Sequence, residues 1–463
     1  MEAEDEVRGW AAHTFGGAAL GDRRRSARLV SMAAQAAERP CGTVTGVFCS
    51  SAEREGAFRW LESPQVSSAA VAAAMFATTA RQCASETVVP VAVDGSSLTL
   101  TDRARRREVG RVGNGRVKSR GLQVMTSLAL QGDGVVVGLL DQRFWARDKP
   151  IERRRHSRKC FGQRYRQTET CHWVDALTAC DERLKAEAPQ AQPWFQLDRG
   201  ADCWPVLKWA VERGRLLTVR ARSNRRLVGS RGRVCYLDTT VKRAPVLGGY
   251  SVELAAQPGQ PPRVAHILLR ACPVSVHARV SKKHREELAL FAVLAEEMGR
   301  HSDRLRWLLL TTHPVATLEQ AHAVVDAYAL RWRIEDFHRA WKRGGCNVED
   351  TQLHSRNALI KWATILAAVA ARALRLAQLV RTKPNVPAST EFTPYEIAAA
   401  FLLSKRKRDK RKGLSLQDVV DLIADLGGFA HKYDGGRPGP TVLARGLAYI
   451  EPVARALQIM DEM

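Results

Sequence analysis

Apolar positions recur at helical spacing through residues 1–70. Asp22 offers an N-cap for a helix over 23–39 that stops before Pro40. A second helix fits 51–62, ending before Pro64, and a third, Ala-rich one covers 67–82. The pattern then turns to β. The β-branched run Val88-Val89-Pro90-Val91-Ala92-Val93 leads into Asp94, and strands over 121–130 and 135–140 flank a Gly132-Asp133-Gly134 turn. A helix over 172–188, a strand over 193–197 ending at Asp198, a helix to about Arg213 and a strand over 216–220 follow. Strands first, then alternation with helices, predicts a mixed α/β sheet. From 216 to 312 the chain reads mainly as strand, at 234–237, 250–254, 264–269 and 307–311, with one helix over about 286–298. This is a β-rich insertion. Thr317-x-x-Gln320 is a capping box opening a long helix that runs to about Arg343 and stops at Gly344-Gly345. The remainder reads as helix.

The most apolar stretch, 358–380, is interrupted by Lys361, Arg372 and Arg375. A spanning helix needs about 20 apolar residues, so this is read as a core helix with no membrane partner. The acidic start, Met1 to Glu6, has no apolar segment of a secretory signal. A soluble, cytoplasmic protein is expected. The ten cysteines form no C-x-x-C pair; Cys171-His172 with Cys180 is the nearest approach to a zinc site, and reduced core thiols explain the set better. With 463 residues, roughly three domains are expected. The hydrophobic share of 45% excludes wholesale disorder. Against 48 acidic residues stand 72 Lys and Arg, a net charge of +24. The basic residues recur along the whole chain: Arg103 to Arg120, Arg143 to Arg166, Lys405 to Lys412. Such a balance calls for a polyanionic partner, and nucleic acid is the usual one.

Two acids, Asp94 and Asp198, are predicted at strand ends, and a third, Glu335, on the long late helix. Converging carboxylates of this kind hold two divalent ions for phosphoryl transfer, and hard oxygen ligands suit Mg²⁺, with Mn²⁺ as a substitute. Around Glu335, the residues Tyr328, Arg331, Glu335 and Lys342 stand at i, i+3, i+7 and i+14. On one continuous helix these fall within an arc of roughly 60°. One face then offers a hydroxyl, a guanidinium, a carboxylate and an ammonium, able to clamp phosphates around a metal-bound acid. A salt-bridged surface helix would explain Arg331 with Glu335, but not Tyr328 or the one-sided array.

Tyr-x2-Arg-x3-Glu-x6-Lys is the signature of insertion-sequence-4 family DDE transposases, and the segment Arg331-Trp332-Arg333-Ile334-Glu335-Asp336-Phe337-His338 closely resembles the transposon-5-type group. Gly21 to Leu29 and Glu55 to Trp60 resemble that group's N-terminal DNA-binding module. Asp198-Arg199-Gly200-Ala201-Asp202 resembles its second acid motif, and Trp307 to Thr311 the strand before the signature helix. Leu426 to Phe429, Asp434-Gly435 and Arg445 to Leu447 resemble its C-terminal domain. Gly95-Ser96 and Gly200 depart from the residues relatives often carry there, without removing an acid.

The resemblance implies an RNase H-like catalytic core over 71–380, with the β-rich insertion at about 216–312. It adds an N-terminal helical DNA-binding domain over 1–70 and a C-terminal helical dimerisation domain over 385–463. It implies cut-and-paste transposition of an insertion sequence in the bacterial cytoplasm, at the nucleoid, by strand cleavage, hairpin formation and strand transfer. The substrates would be double-stranded DNA, namely the inverted repeats at transposon ends and the target, held by a homodimer in a paired-end complex. Asp94, Asp198 and Glu335 would hold the metal ions. Tyr328, Arg331 and Lys342 would grip phosphates, Trp307 would stack on an unstacked base, and Arg220 would brace the same strand. Arg23, Arg24, Arg25 and Arg28 are candidates for end recognition. Two rivals remain on sequence alone: a nuclease of the same fold, and a domesticated, non-catalytic DNA-binding regulator.

Overall fold

The computed structural model describes residues 4–113, 119–147, 168–228, 234–254, 261–279, 285–299, 304–404, 413–429 and 438–462. Arg116, Lys118, the basic positions between 148 and 166, the 405–412 charge run and Asp434-Gly435 lie outside them. Helices α1 (Glu4–Phe15), α2 (Arg23–Glu38), α3 (Val44–Val47), α4 (Ser51–Glu62) and α5 (Ser68–Gln82) open the chain. Their starts follow from short polar caps. The Asp22 carboxylate accepts from Arg24 N at 2.8 Å, and Ser50 and Glu53 form a reciprocal capping box on α4.

Strands β1 (Val88–Leu100), β2 (Gly110–Arg111), β3 (Arg120–Leu130) and β4 (Val136–Trp145) follow, then α6 (Thr170–Glu187), β5 (Gln192–Leu197), α7 (Trp204–Glu212) and β6 (Leu216–Arg220). They assemble in the order β4-β3-β1-β5-β6. The β4, β3 and β1 strands are antiparallel, whereas β1, β5 and β6 run parallel through the α6 and α7 crossovers. This mixed sheet is the expected RNase H-like core. The insertion contributes β7 (Arg226–Val228), β8 (Val234–Tyr236), α8 (Leu237–Arg243), β9 (Val246–Leu254), β10 (Arg263–Arg279), β11 (Arg285–Glu297) and β12 (Arg306–Thr311). Because β12 pairs with β6, the insertion prolongs the core sheet in the order β6-β12-β11-β10-β9. Helices α9 (Leu318–Leu330), α10 (Arg333–Arg343), α11 (Arg356–Thr382), α12 (Pro394–Ser404), α13 (Leu416–Leu426) and α14 (Pro440–Glu462) complete the chain.

Three expectations need correction. The helix expected over 286–298 is strand β11, paired along its length with β10 and, near its end, with β12. Its Ala, Leu and Glu residues favour helix locally, but two strand neighbours override that preference. The single helix expected to reach Arg343 is two, α9 and α10, divided at Arg331-Trp332. Asp94 does not end its strand: β1 continues to Leu100 against β3. The strand end belongs to β5, whose pairing with β1 stops at Val93 and Leu197, so the sheet opens at Asp94 and Asp198.

The N-terminal helices do not have a core to themselves. Phe15, Leu29, Met32, Phe48 and Leu61 pack in one apolar cluster with Leu122 and Val124 of β3, Phe337 and Trp341 of α10, and Trp362 of α11. Polar groups lock the same seam. Lys361 Nζ, buried on α11, donates to the carbonyls of Leu61 (2.7 Å) and Ser63 (2.8 Å), and Trp362 Nε1 donates to Gly42 O at 2.7 Å. Gly42 lies so close to the chain after α10 that a Cβ there would fall 1.9 Å from Asn347 O. Helix α11 is long and apolar enough to span a bilayer by composition, but 89% of its most apolar window is buried inside the protein. The other sheet face is covered by α6 and α7, and the C-terminal helices form their own cluster on the end of α11.

Candidate active site

Asp94 and Asp198 come together because Val93 and Leu197 are register partners on neighbouring parallel strands. Each carboxylate is oriented by its local backbone: Asp94 Oδ1 accepts from Gly95 N at 2.8 Å and Asp198 Oδ1 from Gly200 N at 2.7 Å. Glu335 arrives from the first turn of α10. Arg331 lies between: its guanidinium donates to Glu335 Oε1 at 2.7 Å and to Asp94 Oδ2 at 3.4 Å. Burial pushes the Asp94 carboxyl up to about 7; Asp198 and Glu335 add to the rise and Arg331 opposes it.

The break between α9 and α10 preserves the array expected of a continuous helix. Tyr328 and Arg331 stand at the end of α9, and Glu335 and Lys342 on α10. Tyr328 is buried, which raises its hydroxyl, while Arg331 and Arg220 nearby pull it down. Lys342 Nζ donates to Ser96 Oγ at 2.9 Å, two residues beyond Asp94. The whole signature is therefore gathered around the opening in the sheet.

The family described as Transposase DNA-binding matches residues 7–66. The Transposase DDE domain matches 163–371, and the Transposase Tn5 dimerisation domain matches 368–457. The chain belongs to the transposon-5-type DDE transposases. Asp198 and Glu335 lie inside the DDE match, and Asp94 precedes it. The dimerisation match begins within α11, the helix on which the transposase rests its C-terminal cluster.

The DDE domain implies a divalent metal, and the donors fit one. Glu335 Oε2 is buried with no hydrogen-bond partner among the described residues, and three carboxylates crowd together at a cost that a cation would remove. A second group of possible ligands lies elsewhere. Cys171, His172 and Asp175 lie with ligand atoms within 4.8 Å of one another, whereas Cys180, which completed the weak zinc-like spacing in the sequence, is fully buried on another part of α6.

Trp307 and Arg220 join the site's edge. The Trp307 ring meets the Tyr328 ring edge-on at 5.2 Å, and Arg220 donates to Arg306 O at 3.0 Å, bracing the residue before Trp307. Of the four N-terminal arginines, Arg23 and Arg24 are exposed on α2. Arg25 and Arg28 are occupied within the transposase. Arg25 donates to Leu20 O (3.1 Å) and to Gln65, and Arg28 donates to Glu53 O at 3.0 Å, tying α2 to α4.

Two contributors escaped the sequence reading. His338, one turn after Glu335, is buried, with burial and then the Lys342 and Arg331 charges pushing it down to about 3. It shares a hydrogen bond of 3.4 Å with Thr126, the β3 partner of Asp94, and so seats α10 on the sheet. Glu349, after α10, accepts from Thr99 N of β1 at 2.8 Å. Glu349 stood in no motif; His338 closed the segment Arg331 to His338 but was given no role there, and only its spacing from Glu335 placed it on the same helix face.

Proposed function

We propose that this transposase performs cut-and-paste transposition through a hairpin intermediate. The carrying observation is the convergence of Asp94, Asp198 and Glu335 at the sheet opening, ringed by Tyr328, Arg331 and Lys342. Asp94, Asp198 and Glu335 would hold two Mg²⁺ ions. Bound there, the ions would lower the pKa of the attacking oxygen and neutralise charge on the leaving one. The protein's own part is positional. Lys342, beside Ser96, and Arg331, between the acids, present cations on both sides of the reacting phosphate, and Tyr328 fixes the Arg331 side of the pocket. A water attacks phosphorus at the transposon end and a 3′ hydroxyl leaves. That hydroxyl attacks the opposite strand to close a hairpin, water reopens it, and the freed 3′ ends attack target DNA. Every step is an in-line displacement at phosphorus, so one site serves all. Trp307, half-buried at the site's edge, offers the stacking face for the base displaced at the sharp bend. Two ends require two protomers, with inverted repeats as the DNA and the C-terminal helices as the contact between copies.

The test is incubation with the element's own ends and Mg²⁺, resolving nicked, hairpin and strand-transfer products on denaturing gels. Hairpins followed by joined products are expected. Simple double-strand breaks, with pre-cut ends that never join to target, would identify a nuclease instead.

A further inference from the structure

Glu349 stands outside the signature, yet it touches two of the site's supports. It sits on a one-turn helix, Val348–Asp350, entered through Asn347 in the left-handed region at φ 44°. Its Oε1 accepts from Thr99 N at 2.8 Å, on the stretch of β1 that β5 no longer covers. The same oxygen lies 3.8 Å from Lys342 Nζ, and each side chain is about 20% exposed. Lys342 in turn donates to Ser96 Oγ at 2.9 Å. One carboxylate thus joins the loop after α10 to the strand carrying Asp94, with the ammonium held between Ser96 and Glu349.

We infer that Glu349 is a positioning residue for Lys342: it fixes the ammonium beside the reacting phosphate and keeps it charged. This rests on the reading of Lys342 as a phosphate clamp. The charged and titratable groups facing that ammonium are Glu349 from the one-turn helix and Arg343 and His338 from α10. Burial lowers the Lys342 pKa and Arg343 lowers it further; Glu349 alone among them raises it. His338 is held neutral by its own burial and adds no charge. Without the Glu349 charge, Lys342 gives up its proton at lower pH.

The experiment measures the rate of the first strand nick against pH for wild type, E349Q, K342R, K342A and the E349Q/K342R pair. Glutamine keeps an acceptor for Thr99 N and removes only the charge. In E349Q the alkaline limb of the profile should move down by about one pH unit, the scale of losing an opposite charge at this distance. Arginine stays charged throughout the range, so K342R should lack that limb and E349Q should not restore it. An unmoved limb in E349Q, or an equal rate loss at every pH with a lowered Tm, overturns the inference and leaves Glu349 a purely structural residue. Near-normal cleavage by K342A overturns instead the reading of Lys342 itself.

Discussion

Asp94 is held where its charge is costly. In an unfolded chain it ionises near its ordinary value of 3.8, whereas in the folded protein burial and two neighbouring carboxylates hold the proton to about 7. Between these values the folded state binds more protons than the unfolded one. Stability therefore falls as pH rises through that window, by about 4 kcal/mol when complete. Asp94→Asn removes the penalty. We expect the variant, free of divalent ions at pH 8, to melt several degrees above wild type while losing strand cleavage altogether. Scanning fluorimetry from about pH 4 to 8 checks it: the gain should shrink steadily as pH falls below about 7 and vanish only towards the ordinary value of 3.8, and a gain independent of pH would point to another cause. Trp307 gives the second expectation at this scale. Stacking on a base is worth about 1–3 kcal/mol, so Trp307→Ala should slow hairpin closure more than the first nick. Equal loss at both steps, together with a lower Tm, would return Trp307 to a packing role against Tyr328. The identity of these residues was legible in sequence, since an acid after a β-branched run and the Tyr-Arg-Glu-Lys spacing are both local. What surrounds them was not: Arg331 reaches Asp94 across 237 positions, and no local pattern announces that contact.

At the scale of elements, α2 sets an exposed arginine and a structural one within a single turn. Arg24 is exposed, whereas Arg28 spends its guanidinium on Glu53 O and would be crowded by any Cβ at Gly56. Arg24→Ala should weaken DNA binding and reduce the salt slope by about one, without moving Tm. Arg28→Ala should lower Tm by breaking the α2–α4 tie, with a salt slope close to wild type. Salt titrations and melting curves on the two variants separate these outcomes. Boundaries were legible where caps are local: Asp22, and Thr317 with Gln320, act where the sequence places them, and the structure adds an equally local box of Ser50 with Glu53 that the sequence reading passed over. The misreadings share one cause. Strand β11 carries helix-forming residues, and only β10 and β12 on its two sides make it a strand. The break at Arg331-Trp332 has no Gly or Pro to mark it. It sits where Leu330 and Arg333 meet the β3–β4 turn, whose Gly134, at φ 84°, would bring a Cβ within 2.9 Å of Leu330. The extension of β1 past Gly95-Ser96-Ser97 reads locally as a turn and exists because β3 pairs with it.

For the whole molecule, the basic excess of +24 is spread over a body whose parts share their interiors. Affinity for DNA should fall steeply with salt as counterions are released. The shared interior sets a harder condition. Removing residues 1–70 would uncover Trp362, Trp341 and the apolar face of β3, and leave Lys361 without the carbonyls of Leu61 and Ser63. The truncated chain should therefore aggregate, not survive as an enzyme blind to its ends; size-exclusion chromatography decides, and a soluble, cooperatively melting fragment would contradict it. The consequence reaches beyond one chain. A recognition head built on its own core can be traded between mobile elements as a cassette, carrying its target with it. This one cannot, because its floor is the catalytic helix and its seam is pressed to a glycine's width at Gly42. Any change in DNA preference must be acquired in place, by substitutions on the outer surface of this DNA-binding region, while the inner face remains bound to the core.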